Sequence, residues 1–201
     1  MRWIDQFSLE NQVAVVTGAA GGLGRELVAI LADAGANLVI ADNDEFKLDA
    51  LSREIDPSGQ NVLQQKCDVT NKQDILSLID HAHKKFKTID LLINCAGILG
   101  PDELLFDVSE SDWDSVLNVN VKGSWLAATH IAEYMVAHQI EGRIINITSQ
   151  AARTRTPIPG AHYAASKAAI AGYTRILAGE VAEWGVNVNC IAPGRIESKM
   201  T

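Results

Sequence analysis

The sequence predicts one α/β domain over residues 1–201, a three-layer fold in which a doubly wound parallel sheet is covered by helices on both faces. Three observations predict it. Apolar runs rich in valine and isoleucine alternate with amphipathic segments of ten or more residues, the pattern of strand and helix in turn. Most of these runs are continuous rather than alternating in polarity, as strands buried on both sides are. A chain of 201 residues that is 47% hydrophobic and 21% charged is long and apolar enough to bury a full core.

Taken in order, the first run is VAVVTG at 13–18, and TGAAGGLG at 17–24 closes it and opens the first helix. That helix, RELVAILADA, stops where Gly35 supplies a C-terminal cap. NLVIAD at 37–42 is the second strand and leads into DNDE, a good N-cap sequence. NVLQQKCDV at 61–69 and IDLLINCAG at 89–97 are the third and fourth strands. SESD, Ser109 to Asp112, matches a capping box ahead of a long helical segment. GRIINITS at 142–149 is the fifth strand, AHYAASKAAI at 161–170 reads as helix, and NVNCIAPG at 187–194 contains the sixth strand. No internal repeat, low-complexity tract or linker interrupts the series.

The glycine-rich loop is the first functional signal. Glycines let a backbone approach a pyrophosphate closely, and a helix N-terminus offers unpaired N–H groups with about half a positive charge. The spacing of Gly18, Gly22 and Gly24 is GxxxGxG, which departs from the GxGxxG dinucleotide fingerprint. Arg25 stands where a Walker A loop needs Lys followed by Ser or Thr. Asp42 ends the second strand eighteen residues after Gly24. A carboxylate there accepts hydrogen bonds from ribose hydroxyls and repels a 2′-phosphate. Neither Gly21 nor Asn43 supplies a cation for such a phosphate, so NAD(H) is expected over NADP(H). The competing reading of Asp42 is a cap for the next helix.

The second signal is Tyr163 and Lys167, four residues apart and therefore on one helical face. A free phenol, with a pKa near about 10, is a poor acid–base group at neutral pH, and a nearby ammonium favours its ionised form. Ser149 ends the fifth strand fourteen residues earlier, and its hydroxyl can polarise a carbonyl or hold the corresponding alcohol. In an open α/β sheet ligands collect at the carboxyl ends of the strands, where Thr17, Asp68, Asn94 and Ser149 all fall. Each signal alone is weak, since a Tyr–Lys pair at this spacing arises by chance and such a serine is usually a turn residue.

Other classes are disfavoured. A net charge of −8 and a pI near 5.0 leave no footprint for nucleic acid or anionic membrane. There is no run of eighteen apolar residues and no secretory pattern at the N-terminus, so a soluble, cytoplasmic protein is expected. Cys67, Cys95 and Cys190 are odd in number, far apart and set in apolar runs, and are expected to be buried thiols. His81 and His83 sit two apart, on different sides of a helix, so no metal site is expected. Arg153 and Arg155 would suit an acidic substrate, an ordinary solvated loop being the simpler reading.

From about Phe7 to the last residue the sequence resembles the short-chain dehydrogenase/reductase family: TGAAGGLG, CDV, NCAG, NVNVKG, ITS, YAASK and IAPGRIES occur in the family's order and approximate spacing. The resemblance implies a Rossmann-type fold and an NAD-dependent oxidoreductase that interconverts a secondary alcohol and a ketone by hydride transfer. It implies that Tyr163 gives or takes the substrate hydroxyl proton, that Lys167 lowers the pKa of the tyrosine and binds the nicotinamide ribose, and that Ser149 positions the substrate oxygen. It further implies that Asn120 helps hold a water leading protons away from Lys167. For the cofactor it implies contacts from Thr17, Gly18, Gly22, Leu23 and Gly24, with Asp68 and Val69 bordering the adenine. The turn from Asn94 through Ala96 to Gly97 would lie along the ribose, and Pro193, Gly194, Ile196 and Ser198 would line the nicotinamide end.

The family builds dimer faces from the helix bearing Trp125 and the one bearing Tyr163, so a homodimer or homotetramer is expected. NCAG stands for the commoner NNAG, and Ser198 for a frequent threonine. The chain stops at SKMT, where such proteins usually continue into a substrate-covering segment and a last strand. These are expected to be absent, leaving an exposed apolar edge, NVNCI. The opening FSLENQVAVVTG is similar to sugar-acid dehydrogenases and to 3-oxoacyl-carrier-protein reductases alike. A catalytically inactive NAD-binding regulatory protein is the alternative of another class. Epimerisation or dehydration of a nucleotide-sugar on a tightly held NAD is a further rival, for whose larger substrate domain this chain has no room.

Overall fold

A computed structural model describes residues 7–154 and 160–196; Arg155 and Ser198 lie outside them. Six strands form one parallel sheet: β1 (Val13–Thr17), β2 (Asn37–Asp42), β3 (Val62–Lys66), β4 (Leu91–Asn94), β5 (Arg143–Ile147) and β6 (Asn187–Ile191). Their spatial order is β3-β2-β1-β4-β5-β6. From β1 the chain builds outward through β2 and β3, then returns to place β4 on the other side of β1. That reversal opens a crevice between β1 and β4 at the carboxyl edge of the sheet, where open α/β folds bind ligands.

The helices are α1 (Gly22–Asp33), α2 (Glu45–Ile55), α3 (Lys72–Phe86), α4 (Glu110–Leu117), α5 (Ser124–Ala137) and α6 (Ala161–Val181). Strand side chains alternate between two cores. Val13 and Val15 pack with residues of α3, α5 and α6 such as Leu78, Ile131 and Leu177, while Ala14 and Val16 pack with Val28 of α1 and Leu48 and Leu51 of α2. Because β1 carries apolar side chains on both faces, all five of its residues are buried. Burying each large aliphatic side chain stabilises the fold by about 1.5–3 kcal/mol.

Caps fall where the sequence signals them. Asp44 accepts from Lys47 N at 3.1 Å and opens α2, so the cap in DNDE is Asp44 and not Asp42. Ser109 accepts from Asp112 N at 3.1 Å and opens α4. Gly35 takes φ +92° just past the end of α1, and Ala36 N returns to Leu31 O at 3.0 Å, a left-handed stop that glycine adopts without strain. The expected long helix after Ser109 is interrupted, since Asn118–Gly123 forms a π-helical turn between α4 and α5. The third, fourth and fifth strands are shorter than expected, because Cys67–Val69, Cys95–Gly97 and Thr148–Ser149 lie past the strand ends and line the crevice.

β6 is the outer strand, with Val188 buried and Asn187, Asn189, Cys190 and Ile191 exposed. This matches the exposed edge expected of NVNCI. The cysteine expectation needs correction in part: Cys67 is buried and Cys95 half-buried, but Cys190 is exposed, because it lies on that edge strand. His81 bonds Gln65 Oε1 and His83 bonds Tyr134 OH, so the two point to different neighbours. Among the described residues no cluster of three His, Cys, Asp or Glu could hold a metal ion, and no helix is long and apolar enough to cross a membrane.

Candidate active site

The crevice at the strand ends is a cleft of about 410 Å³. One end is built by the glycine loop. Gly18 has φ +64°, and a Cβ there would stand 2.6 Å from Ala96 Cα; a Cβ on Gly24 would stand 2.1 Å from Gly18 O. Both positions therefore require glycine, and the loop is folded tightly over the end of β4. The N-cap of α1, Gly21, has no side-chain cap, so the helix presents bare N–H groups to the cleft, as a pyrophosphate requires. Gly22, Leu23 and Gly24 line the same wall.

Asp42 joins this loop to the start of α2. Its Oδ2 accepts from Ala20 N at 3.0 Å and its Oδ1 from Asp44 N at 3.0 Å. The carboxylate lines the cleft beside Asn43, Asp44 and Lys47. Lys47 was not singled out by the sequence, although a residue on the first turn of a helix after a strand end points back toward the crevice. Its ammonium is paired with Asp44. Asp68 and Val69 border the cleft as expected, with Asp68 Oδ1 accepting from Thr70 N at 2.9 Å.

Three residues expected to touch cofactor or water stand behind the cleft wall instead. Thr17, Asn94 and Asn120 are buried and do not line it. Thr17 Oγ1 donates to Asn94 Oδ1 at 3.3 Å, and Asn94 Nδ2 donates to Asn146 Oδ1 at 2.8 Å and to Ser124 O at 3.0 Å. Asn146 Nδ2 continues to Thr174 Oγ1 at 2.9 Å. This buried polar chain ties β1, β4, β5 and α6 together below the site, and a satisfied network of that kind fixes geometry. The wall itself is made by Gly18, Cys95, Ala96, Gly97 and Ile98.

Asn120 sits in the π-helical turn, a feature that recurs at functional sites. It accepts from Ile98 N at 2.8 Å and donates to Ile98 O at 2.9 Å and Ser166 Oγ at 3.0 Å. Its amide is thus committed to holding the segment after β4 against α6. A Cβ on Gly97 would lie 3.1 Å from Asn120 Oδ1 and 3.5 Å from Lys167 Nζ, so both groups flank the same glycine.

The opposite end of the cleft collects Ser149, Tyr163, Lys167, Pro193, Gly194 and Ile196. Ser149 follows β5 and caps a short turn by accepting from Ala151 N at 3.1 Å. Lys167 is 5% exposed, and its Nζ donates to Ile147 O at 2.9 Å and lies 5.5 Å from the centroid of the Tyr163 ring. Burial pushes the lysine down from 10.5 to about 8. For Tyr163 burial is the largest influence and raises the phenol above its ordinary value, with a hydrogen bond to Ser149 working the other way. The lowering of the phenol expected from the ammonium is therefore corrected: burial raises the phenol, the opposing influence comes from Ser149, and the lysine is held by the Ile147 carbonyl. The sequence did not single out Ile147, whose contribution is a backbone atom.

The sequence profile of the short chain dehydrogenase family matches residues 12–201. The chain is 36% identical over 193 residues to the 3-oxoacyl-acyl-carrier-protein reductase FabG of Thermotoga maritima, covering 96% of this chain and 77% of that protein. It is 35% identical over 202 residues to 2-dehydro-3-deoxy-D-gluconate 5-dehydrogenase of Escherichia coli, covering 98% and 77%. The crystal structure of gox2181 superposes with a TM-score of 0.92 at 30% identity, covering 98% of this chain and 76% of that one. Over nearly its whole length, then, the chain belongs to the short chain dehydrogenase family and is an oxidoreductase of the alcohol–ketone type.

Proposed function

We propose that the chain binds a nicotinamide dinucleotide, NAD(H) in preference to NADP(H), and that Tyr163 exchanges the proton on the oxygen of a small secondary alcohol or ketone. The observation that carries this reading is the convergence of Ser149, Tyr163 and Lys167 at one end of a cleft whose other end is a glycine cradle beneath an uncapped helix. The cradle suits the dinucleotide's pyrophosphate, because glycine at 18 and 24 lets the loop fold tightly against backbone and leaves the uncapped start of α1 at the cleft. When bound, the nicotinamide supplies or takes the hydride at its C4.

The chain's own residues do the rest. Ser149 hydrogen-bonds the phenol and is placed to hold the substrate oxygen beside it. Because burial raises the phenol, Tyr163 is protonated at neutral pH and ready to donate to a carbonyl oxygen as it becomes an alkoxide. The Lys167 ammonium, 5.5 Å from the ring centroid, favours the phenolate that remains. Asn120, Asn94 and Thr17 position the wall from behind.

Preference for NAD(H) is supported by the Asp42 carboxylate at the adenosine end and by the pairing of Lys47 with Asp44, which leaves that end without a spare cation among the described residues that line it. The similar proteins support a substrate range from a carrier-linked oxoacyl group to a sugar acid. Exposed Trp125 on α5 and Ile176 on α6 support a homo-oligomer. The test is Tyr163→Phe, with reduced-nicotinamide absorbance followed across a panel of alcohols and ketones. Turnover should be lost while cofactor affinity stays within about threefold, since the ring is kept. Undiminished turnover in the variant rejects the assignment, and cofactor binding without turnover in the unaltered protein favours a regulatory role.

A further inference from the structure

His162 precedes Tyr163 on the first turn of α6, is 0% exposed, and has no hydrogen-bond partner for either ring nitrogen among the described residues. Buried polar groups are nearly always paired, and leaving one unpaired costs stability. What holds the ring is shape. It lies between two glycines: a Cβ on Gly100 would stand 2.5 Å from Nε2, and a Cβ on Gly160 2.5 Å from Cε1 and 2.8 Å from Nδ1. Gly100 belongs to the segment that leaves β4 past the cleft, two residues after Ile98; Gly160 is the N-cap of α6 and has no side-chain cap. The same two segments are also joined by hydrogen bonds, from Ile98 through Asn120 to Ser166, whose hydroxyl donates to Tyr163 O at 2.7 Å.

We propose that His162 is a positioning residue for Tyr163: its ring is a wedge that sets the angle of the first turn of α6 against the segment after β4. It thereby sets where the phenol stands relative to the Ser149 hydroxyl. The polar bridge through Asn120 fixes Tyr163 from its carbonyl side, and the wedge fixes it from the preceding residue. With both in place the phenol has one position. This rests on the reading of Tyr163 as the acid–base residue.

The test is a double-mutant cycle of His162→Ala and Gly160→Ala, in the full chain with bound NAD(H), reading kcat, cofactor affinity, thermal midpoint and the pH dependence of alcohol oxidation. Gly160 has φ −59°, so alanine is compatible with its backbone; its Cβ would stand 2.5 Å from the His162 ring and, less tightly, 3.2 Å from Pro101 O. Each single variant should lower kcat by about ten- to a hundredfold, the scale of a displaced catalytic group, with NAD(H) affinity within about threefold. The double variant should be no slower than the slower single one, because the sub-3 Å contacts of the Gly160 methyl are with the ring alone and vanish with it, leaving the 3.2 Å approach to Pro101 O. Loss of the Ser149 contact should also move the alcohol-oxidation profile of His162→Ala to higher pH, which a lower thermal midpoint alone does not do. Full kcat in His162→Ala, or losses that multiply in the double variant with no change in pH profile, overturns the proposal. If Tyr163→Phe is inactive while His162→Ala is as fast as the unaltered protein, only the wedge fails; if Tyr163→Phe is active, the reading of the site fails first.

Discussion

Replacing Lys167 by methionine should remove a pH dependence of stability as well as catalysis. The lysine is almost fully buried, and its pKa falls from 10.5 to about 8 because the charged form is desolvated. At about 1.4 kcal/mol per pH unit, this drop amounts to about 3 kcal/mol against the charged form in the folded protein. The unfolded chain binds the proton more tightly, so this contribution to stability is complete above 10.5 and is lost as the pH falls through about 8. Between about pH 7 and 9.5 the unaltered protein should therefore gain about 2 kcal/mol relative to Lys167→Met. Methionine also leaves the Ile147 carbonyl without its 2.9 Å partner, but that cost does not vary with pH and drops out of the comparison. Urea unfolding of both proteins at the two pH values measures the difference, and the other titrating groups cancel between them. Parallel stability profiles would refute the reasoning, because they would mean that the ammonium is as well solvated in the fold as in the unfolded chain.

Asp42→Ala removes the acceptor of Ala20 N and Asp44 N together with the carboxylate that faces the cleft. NADH affinity should fall by about ten- to a hundredfold, the worth of one charge-assisted hydrogen bond, and NADPH affinity by less. Nicotinamide fluorescence titrations give both, and equal losses would mean that Asp42 only braces the loop. The cysteines should separate under alkylation at neutral pH. Cys190 is exposed, whereas burial pushes Cys67 up to about 12 and Cys95 up to about 11. Peptide mapping should find the label first on Cys190, with Cys67 labelled only on unfolding.

Strands and helices were legible because each burial pattern is local. The first four residues of VAVVT are all apolar, so the strand is buried on two faces, and Gly18 and Gly24 announce a turn that only glycine permits. Asp42, which ends β2, and Ser149, two residues past the end of β5, were legible because strand ends in such a sheet face the crevice. The π-helical turn at Asn118–Gly123 carried no such signal, since NVNVKG contains neither proline nor an unusual cap. Thr17 and Asn94 also end strands, yet their side chains turn inward to one another and to Asn146. No pattern along the chain distinguishes a strand-end polar residue that lines the cleft from one that braces it.

The sequence by itself determined which strands and helices alternate, which turn requires glycine, and that a phenol and an ammonium share one helical face. These depend on spacing and on the conformational freedom of single residues. Only the tertiary structure decided that burial raises the phenol, that a backbone carbonyl of β5 holds the lysine, and that the distant Gly100 closes on His162 opposite its neighbour Gly160. Desolvation and steric contact are properties of the surroundings in space, and the atoms responsible, from Gly100 to Ile147, reach residues 162–167 only once the sheet has brought its strand ends together.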